Sequence, residues 1–355
     1  VSWQLEKLTK RPDLHDKIEF EIAITCLDFD ESSRRSYLIS AGLNSDQITR
    51  FEGALREITQ HAVDNFSSAL PNLCRKTQKL RDHSWPNEAT IEITQIEQLF
   101  NSCIDCGTLP FAILARHAFI ATSFLKSLVR CNAMTAQRSD EFLRSINTVA
   151  EEFVIDLQNV NGGLMTKKKF MSIYGHLRPN TYDVLSSRYD ERPEILSGAT
   201  RKIAISKDIF IPSKKECQEI GRAISHVGLK ISVHQLFDYM RIAIELRERA
   251  KFNFTAGVSL GLQALITWSR SIGLSREDLS WLSWGDIQKV LHTKSYSQLI
   301  ERAKFDFTVN RKLHLPMLIT EPRRLSDRSH ASRQPLHSLP RKPFLEKSNW
   351  RIGIT

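Results

Sequence analysis

The densest group of chemically capable side chains in this sequence lies between Gly175 and Asp190, in the stretch GHLRPNTYDVLSSRYD. His176, Arg178, Thr181, Tyr182, Asp183, Arg188 and Tyr189 crowd together where helical periodicity stops. Pro179 pushes Arg178 out of helical backbone, so the stretch reads as an ordered turn or loop. Two guanidiniums beside Tyr and Thr hydroxyls could grip a phosphate or carboxylate bidentately. A neighbouring His could serve as acid, base or donor. The same residues also fit a buried polar network in which Arg178 or Arg188 pairs with Asp183 and pins helices together. Elsewhere, Arg116 stands in an apolar segment between Leu114 and Phe119, where it needs an anion, a dense hydrogen-bond network or an acidic partner. Arg247 and Lys251 lie one turn apart and either add positive charge to the same cavity or form a solvated face.

The elements that must position these residues are mainly helices. Asn44 with Gln47 makes a capping-box start, followed by Ile48, Phe51, Leu55, Ile58, Ala62 and Phe66 on one face. Further helices are expected at about 89–105, 109–131, 136–159, 214–227, 232–254 and 258–272. Phe142, Ile146, Val149, Phe153 and Leu157 form an apolar stripe. Ser213 and Glu216 open the helix that Gly228 stops, and Ser275 with Asp278 starts a short one. Residues 18–26 alternate apolar with mostly polar side chains, the period of a strand, and short strand-like stretches occur near 203–205 and 209–211. The expected fold is mainly α, a multi-helix domain with a small β element near the N-terminus. Its expected divisions are a strand-containing segment at 1–43, a helical subdomain at 44–195, a second at 196–320, and a basic aperiodic tail at 321–355.

Composition narrows the function classes. The 355 residues are 41% apolar and 25% charged, which excludes disordered, collagen-like and disulfide-scaffold chains. The formal charge of +10 is less telling than it looks, because eight Lys/Arg against three Asp/Glu fall in the last 35 residues. With no recognised module or aromatic-basic pattern, nucleic-acid binding is not expected. Cys103 and Cys106 form a CxxC, but no second pair at ligand spacing follows, so they read as a helical core pair and no metal is expected. His117, His226 and His234 read as structural, and Trp268, Trp281 and Trp284 as core. His15, Asp16 and Lys17, just before the strand, read as capping or surface groups. No apolar run of about 20 residues exists, so no membrane span is expected. Val1 in place of Met, with no signal segment after it, leads to the expectation of a cytoplasmic chain cut from something longer.

The segment GHLRPNTYDVLSSRYDE (175–191) resembles the central-region motif of a phosphoenolpyruvate-utilising phosphotransferase family, that of phosphoenolpyruvate synthase, pyruvate phosphate dikinase and rifampin phosphotransferase. Other blocks resemble it in the same order: LHDKIEFEIAITCLDFD (14–30), GTLPFAILARHAFIATSFLKSLV (107–129), FLRSINTVAEEF (142–153), AIELRERAKFNFT (243–255), GLSREDLSWL (273–282) and LHLPMLI (313–319). The resemblance covers roughly residues 5–320. Asn180 stands where the family typically has Gly, and the tail departs from the family where its mobile domain should begin.

The resemblance implies an acceptor-binding and linker region of an ATP-dependent phosphotransferase of dikinase type. In such enzymes an ATP-grasp domain phosphorylates a mobile histidine, which carries phosphate to a small-molecule acceptor. This chain has neither the Gly-rich or ATP-grasp-like pattern nor the Gly-Gly then Ser/Thr-x-His segment of those two domains. Ser329-His330-Ala331 lacks the preceding glycines and is not expected to carry phosphate. ATP and Mg2+ are therefore implied for the full-length enzyme and no cofactor for this chain, which holds no catalytic residue and is not expected to be active alone. The implied substrate-binding residues are Arg116, His176, Arg178, Thr181, Tyr182, Asp183, Arg188 and Lys251. The implied partners are the ATP-grasp and phosphohistidine domains and the phosphoryl acceptor. The alternative is a stand-alone, non-catalytic helical module that binds an anion or a partner.

Overall fold

The computed structural model describes residues 6, 8–11, 14, 18, 22–84, 91–192, 194, 209–293 and 296–312. Its chain forms two compact units, Ala23–Ser280 and a second made of Val1–Ile22 with Trp281–Thr355. The helices of the larger unit are α1 (Glu31–Ser40), α2 (Ser45–Arg81), α3 (Ile93–Cys103), α4 (Leu109–Arg130), α5 (Ala136–Arg144), α6 (Val149–Asn161), α7 (Lys167–Tyr174), α8 (Lys214–Val227), α9 (Val233–Ser271) and α10 (Arg276–Ser280). A π-helical turn, Ile104–Thr108, links α3 to α4. In the smaller unit α11 (Trp284–Thr293) and α12 (Tyr296–Asn310) are described. There the Phe307 ring meets Trp281 edge-on at 5.5 Å, and Ile287 and Ile300 are buried.

Local chemistry sets the helix starts. At α2 the Asn44 side chain accepts from the Gln47 N–H, and the Gln47 side chain accepts from the Asn44 N–H, both at 2.9 Å. Ser213 and Glu216 do the same for α8 at 3.2 and 2.7 Å. Gly228 stops α8 at φ +71°, a conformation that costs other L-residues about 1–2 kcal/mol. Ser275 and Asp278 cap α10 in the expected way.

The long helix α9 organises the larger unit by packing along α4, α2 and α3. It merges the two helices expected at 232–254 and 258–272, because its glycines serve approach rather than termination. A Cβ at Gly257 would lie 3.1 Å from Cys103 Sγ, and one at Gly261 would lie 2.6 Å from the Phe100 ring. Phe66, Phe124, Leu236 and Met240 are almost wholly buried in the main core, each contributing roughly 1.5–3 kcal/mol by leaving water. Helices expected on both sides of residue 195 share this core. Ile93–Arg130 is long and apolar enough to cross a membrane by length and composition, and its α4 half packs against α9 with Leu114, Ile120, Phe124 and Leu128 buried.

Three expected elements differ. Residues 19–21 of the strand expected at 18–26 lie outside the described residues, but 23–25 are coil, and no strand occurs among the described residues. The segment that follows meets hydroxyls instead of a neighbouring strand: the Leu27 N–H donates to Thr59 Oγ1 at 2.9 Å and the Phe29 N–H to Ser127 Oγ at 3.1 Å. Residues 209–211 are also coil, and 203–205 lie outside the described residues, as do His15, Asp16, Lys17 and the tail. The helix expected at 136–159 is broken at 145–148, where Thr148 caps α6. Its stripe divides accordingly. Phe142 and Ile146 join the main core, while Val149, Phe153 and Leu157 pack on Phe170, Tyr174 and Phe252 in a satellite cluster.

His117 Nδ1 and the Tyr239 hydroxyl are 3.0 Å apart in the core, and burial takes the imidazole down to about 4. His226 reaches Glu31 at 2.6 Å, and His234 is exposed. Trp268 is buried, whereas Trp281 and Trp284 are half-buried. Cys103 packs with Leu80 and Leu99, and burial raises its thiol to about 11.

Candidate functional site

The loop that follows α7 is built to fold back on itself. Gly175 permits this, because a Cβ there would lie 2.4 Å from the Met171 carbonyl and 3.0 Å from Asp190 Oδ2. Backbone bonds close the neck, from the Tyr189 N–H to Leu177 O at 2.9 Å and from Asp190 to Gly175 at 3.3 Å. Inside the neck, Asn180 N–H donates to Ser186 Oγ at 3.1 Å and Leu185 N–H to Asp183 Oδ1 at 2.8 Å. Asn180 keeps a negative φ, so glycine is not required there. Asp183 thus serves the turn and pairs with neither arginine, a correction to the expected network.

Three guanidiniums fasten the loop. Arg178 is 4% exposed and donates from Nε to Ser259 Oγ at 3.1 Å, from Nη2 to Gln263 Oε1 at 3.3 Å, and from Nη1 to the Ser186 carbonyl. All three acceptors are neutral. Arg276 donates to the carbonyls of Val184 and Ser186 at 2.5 and 2.9 Å and meets Glu191 at 3.2 Å. Arg188 grips Asp190 through Nε at 2.9 Å and Nη2 at 2.5 Å, the bidentate geometry of a strong pair. Burial, followed by the proximity of Arg276, draws Arg178 down to about 10. Burial works to raise Glu191, but the Arg188 N–H and Arg276 outweigh it and hold the carboxyl below its usual range.

Beside this cluster opens a pocket of about 250 Å³, with Arg188, Asp190 and Glu191 on one wall and Gln263 and Thr267 of α9 on the other. The three guanidiniums of Arg178, Arg188 and Arg276 face the two carboxylates of Asp190 and Glu191, leaving one positive charge in surplus. At low dielectric such a surplus is a binding potential for an anion.

The other expected site residues fall elsewhere. His176 is buried with its Nδ1 2.8 Å from Arg81 Nη1, and its ring sits edge-on to Phe252 at 4.7 Å. Arginine only donates, so Nδ1 is the acceptor and the proton sits on Nε2. Burial, reinforced by Arg81, lowers His176 to about 3, so it is neutral at physiological pH and unsuited to proton transfer there. Tyr182 is 65% exposed at the loop tip, and Thr181 is half-buried. Lys251 is half-buried on α9. Arg116 bonds the hydroxyl of Thr25 at 2.8 Å and the Thr25 carbonyl, holding the coil in front of α1. The structure does not bring Arg116 to Arg178. Phe119, one turn from Arg116, meets Arg247, whereas Arg178 meets Ser259 and Gln263, roughly 20 Å further along α9.

Arg81, Arg276, Ser259, Gln263 and Thr267 are the participants that sequence reasoning missed. A signal existed: Ser259, Gln263 and Thr267 recur at four-residue spacing in the uncharged stretch 252–269, a polar stripe that needs a partner. Compared with known proteins, the chain matches no family model, no curated protein and no solved structure.

Proposed function

We propose that this chain is the central acceptor-binding region of a phosphoenolpyruvate synthase-like phosphotransferase, holding an anionic phosphoryl acceptor beside the 175–191 loop. The observation that carries this reading is the positive surplus of Arg178, Arg188 and Arg276 at the edge of the 250 Å³ pocket. The sequence resemblance supplies the reaction class. An incoming carboxylate or phosphate competes with Asp190 for the fork of Arg188, while Gln263 and Thr267 offer an amide and a hydroxyl from the opposite wall. Arg178 and Arg276 keep the loop in place and bias the field without touching the ligand. Among the described residues no three His, Cys, Asp or Glu side chains converge as a metal site, so no step is assigned to Mg2+ or ATP here. Those belong to the ATP-grasp and phosphohistidine domains of the parent enzyme in this reading.

Titration calorimetry with phosphoenolpyruvate, pyruvate and inorganic phosphate tests the proposal. At least one is expected to bind, and Arg188→Ala to weaken it about tenfold, the worth of one charge-assisted bond. Failure of all three to bind the unmodified chain, or ATP hydrolysis by the chain alone, would overturn it. The non-catalytic module reading draws on one observation, that every nitrogen donor group of Arg178 is already bonded to protein. In the partner-binding form of that reading, Arg178→Ala lowers stability and no small phosphorylated or carboxylated ligand binds.

A further inference from the structure

A second cavity, of about 330 Å³, lies in the seam between α2, α4 and α9 and is independent of the loop site. Leu114, Leu246 and Ala250 give it an apolar wall. Its other wall carries the buried Thr77 and Asn253, with Gln78 beside them. At the rim stand Arg75, which is exposed, and Arg249. The size is that of a small-ligand pocket, and an apolar wall of this kind stays poorly hydrated.

The charge around the rim is what selects a ligand. Arg249 is paired with Glu152. Arg75 reaches only the neutral Asn72, at 3.0 Å. One turn beyond Thr77, Arg81 spends its donors on His176 and on the carbonyls of Ser172 and Ile173, none of them carboxylates. Two guanidiniums therefore stand at the opening with Arg81 a turn away, and among the residues these three bond only Glu152 is anionic. Asp82, next to Arg81, is exposed and accepts from Gln78 at 2.7 Å.

We propose that this cavity binds a small amphipathic carboxylate, an aryl or medium-chain alkyl acid, with its apolar body on Leu114, Leu246 and Ala250 and its carboxylate at Arg75. The lining pairs an apolar wall with charge at the rim, so neither an inorganic anion nor a neutral hydrocarbon satisfies both. Cys74 also lines it and is half-buried, which supplies a reporter inside the site.

The test uses the full chain with octanoate as probe, reading the alkylation of Cys74 by N-ethylmaleimide through peptide mass spectrometry. Octanoate at ten times its Kd should slow labelling of Cys74 about tenfold, because only the unliganded fraction reacts. It should leave the exposed Cys131 unaffected. Ala250→Leu, which fills the apolar end, should abolish the protection, and Leu246→Phe serves the same purpose if the first variant does not fold. Arg75→Ala should weaken octanoate about tenfold while leaving protection by octanol unchanged. Labelling of Cys74 that ignores octanoate, or protection that survives a folded cavity-filling variant, would overturn the proposal. Equal losses for octanoate and octanol on Arg75→Ala would remove the carboxylate from it.

Discussion

Arg34 and Arg178 are both almost fully buried, at 7% and 4% exposure, yet they are treated in opposite ways. Arg34 meets Glu52 at 3.2 Å and Asp28 at 2.5 Å, while Arg35 takes the other oxygen of Glu52 and Arg130 bridges Asp28 and Asp30. Arg35 also meets Glu31 at 2.8 Å, so three guanidiniums meet four carboxylates, and the ensemble holds the coil before α1 against α2 and α4. Around Arg178 the acceptors are neutral, and its two cationic neighbours already take the two nearby carboxylates, so Arg178 itself meets none. A network in which every guanidinium meets a carboxylate has no positive charge left to offer a ligand. An unbalanced one keeps its charge available, at a cost that the protein meets with backbone carbonyls.

The largest effect expected from this contrast is at Arg34. Its replacement by Ala strands Glu52 and Asp28 with one partner each, and urea unfolding should register a loss of about 4 kcal/mol. A loss no larger than that of an Arg178 variant would break the comparison.

Acid should come next. The unfolded chain protonates His176 near pH 6.5, but the folded chain does so only near 3. The contribution is therefore fully present above pH 6.5 and is lost as pH falls through that window, by roughly 3 kcal/mol at pH 4. Melting temperatures followed from pH 7 to 4 should fall less steeply in His176→Gln, whose amide oxygen still accepts from Arg81. Equal slopes would remove His176 from the account.

Arg178→Met should cost about 2 kcal/mol, because charge-assisted bonds are lost but the repulsion with Arg276 is relieved. The smallest effect sharpens the contrast most. Glu191→Gln enlarges the positive surplus, so phosphate should bind about threefold more tightly, by calorimetry at low salt, with stability nearly unchanged. Weaker binding would show that the surplus is not what attracts the anion.

What could be read in advance followed from how local each determinant is. The caps at Asn44, Ser213, Ser275 and Gly228 are decided within four residues and were legible. The strand at 18–26 was not, since alternation reports burial of one face and not the presence of a pairing strand; Thr59 and Ser127 supply the hydrogen bonds just beyond it instead. The continuity of α9 through Gly257 depends on Cys103 and Leu80, far away in sequence. At the site, residue types within 175–191 marked the place, but the fastening of the loop comes from Arg276 and α9, which no local pattern joins to it. The separation of Arg116 from Arg178 was hidden for the same reason, as charge alone carries no distance.

Helix α9 completes the main core from more than about a hundred residues downstream of α2 and α4, a non-local arrangement that slows folding. During synthesis, at 5–20 residues per second, residue 271 follows residue 81 by roughly 10–40 s. Through that interval the apolar stripe of α2, with Leu55, Phe66 and Leu73, has been made but lacks its lid. Ribosomes arrested before residue 233 should therefore display chains that proteases cut and chaperones hold, and release past residue 271 should end both at once.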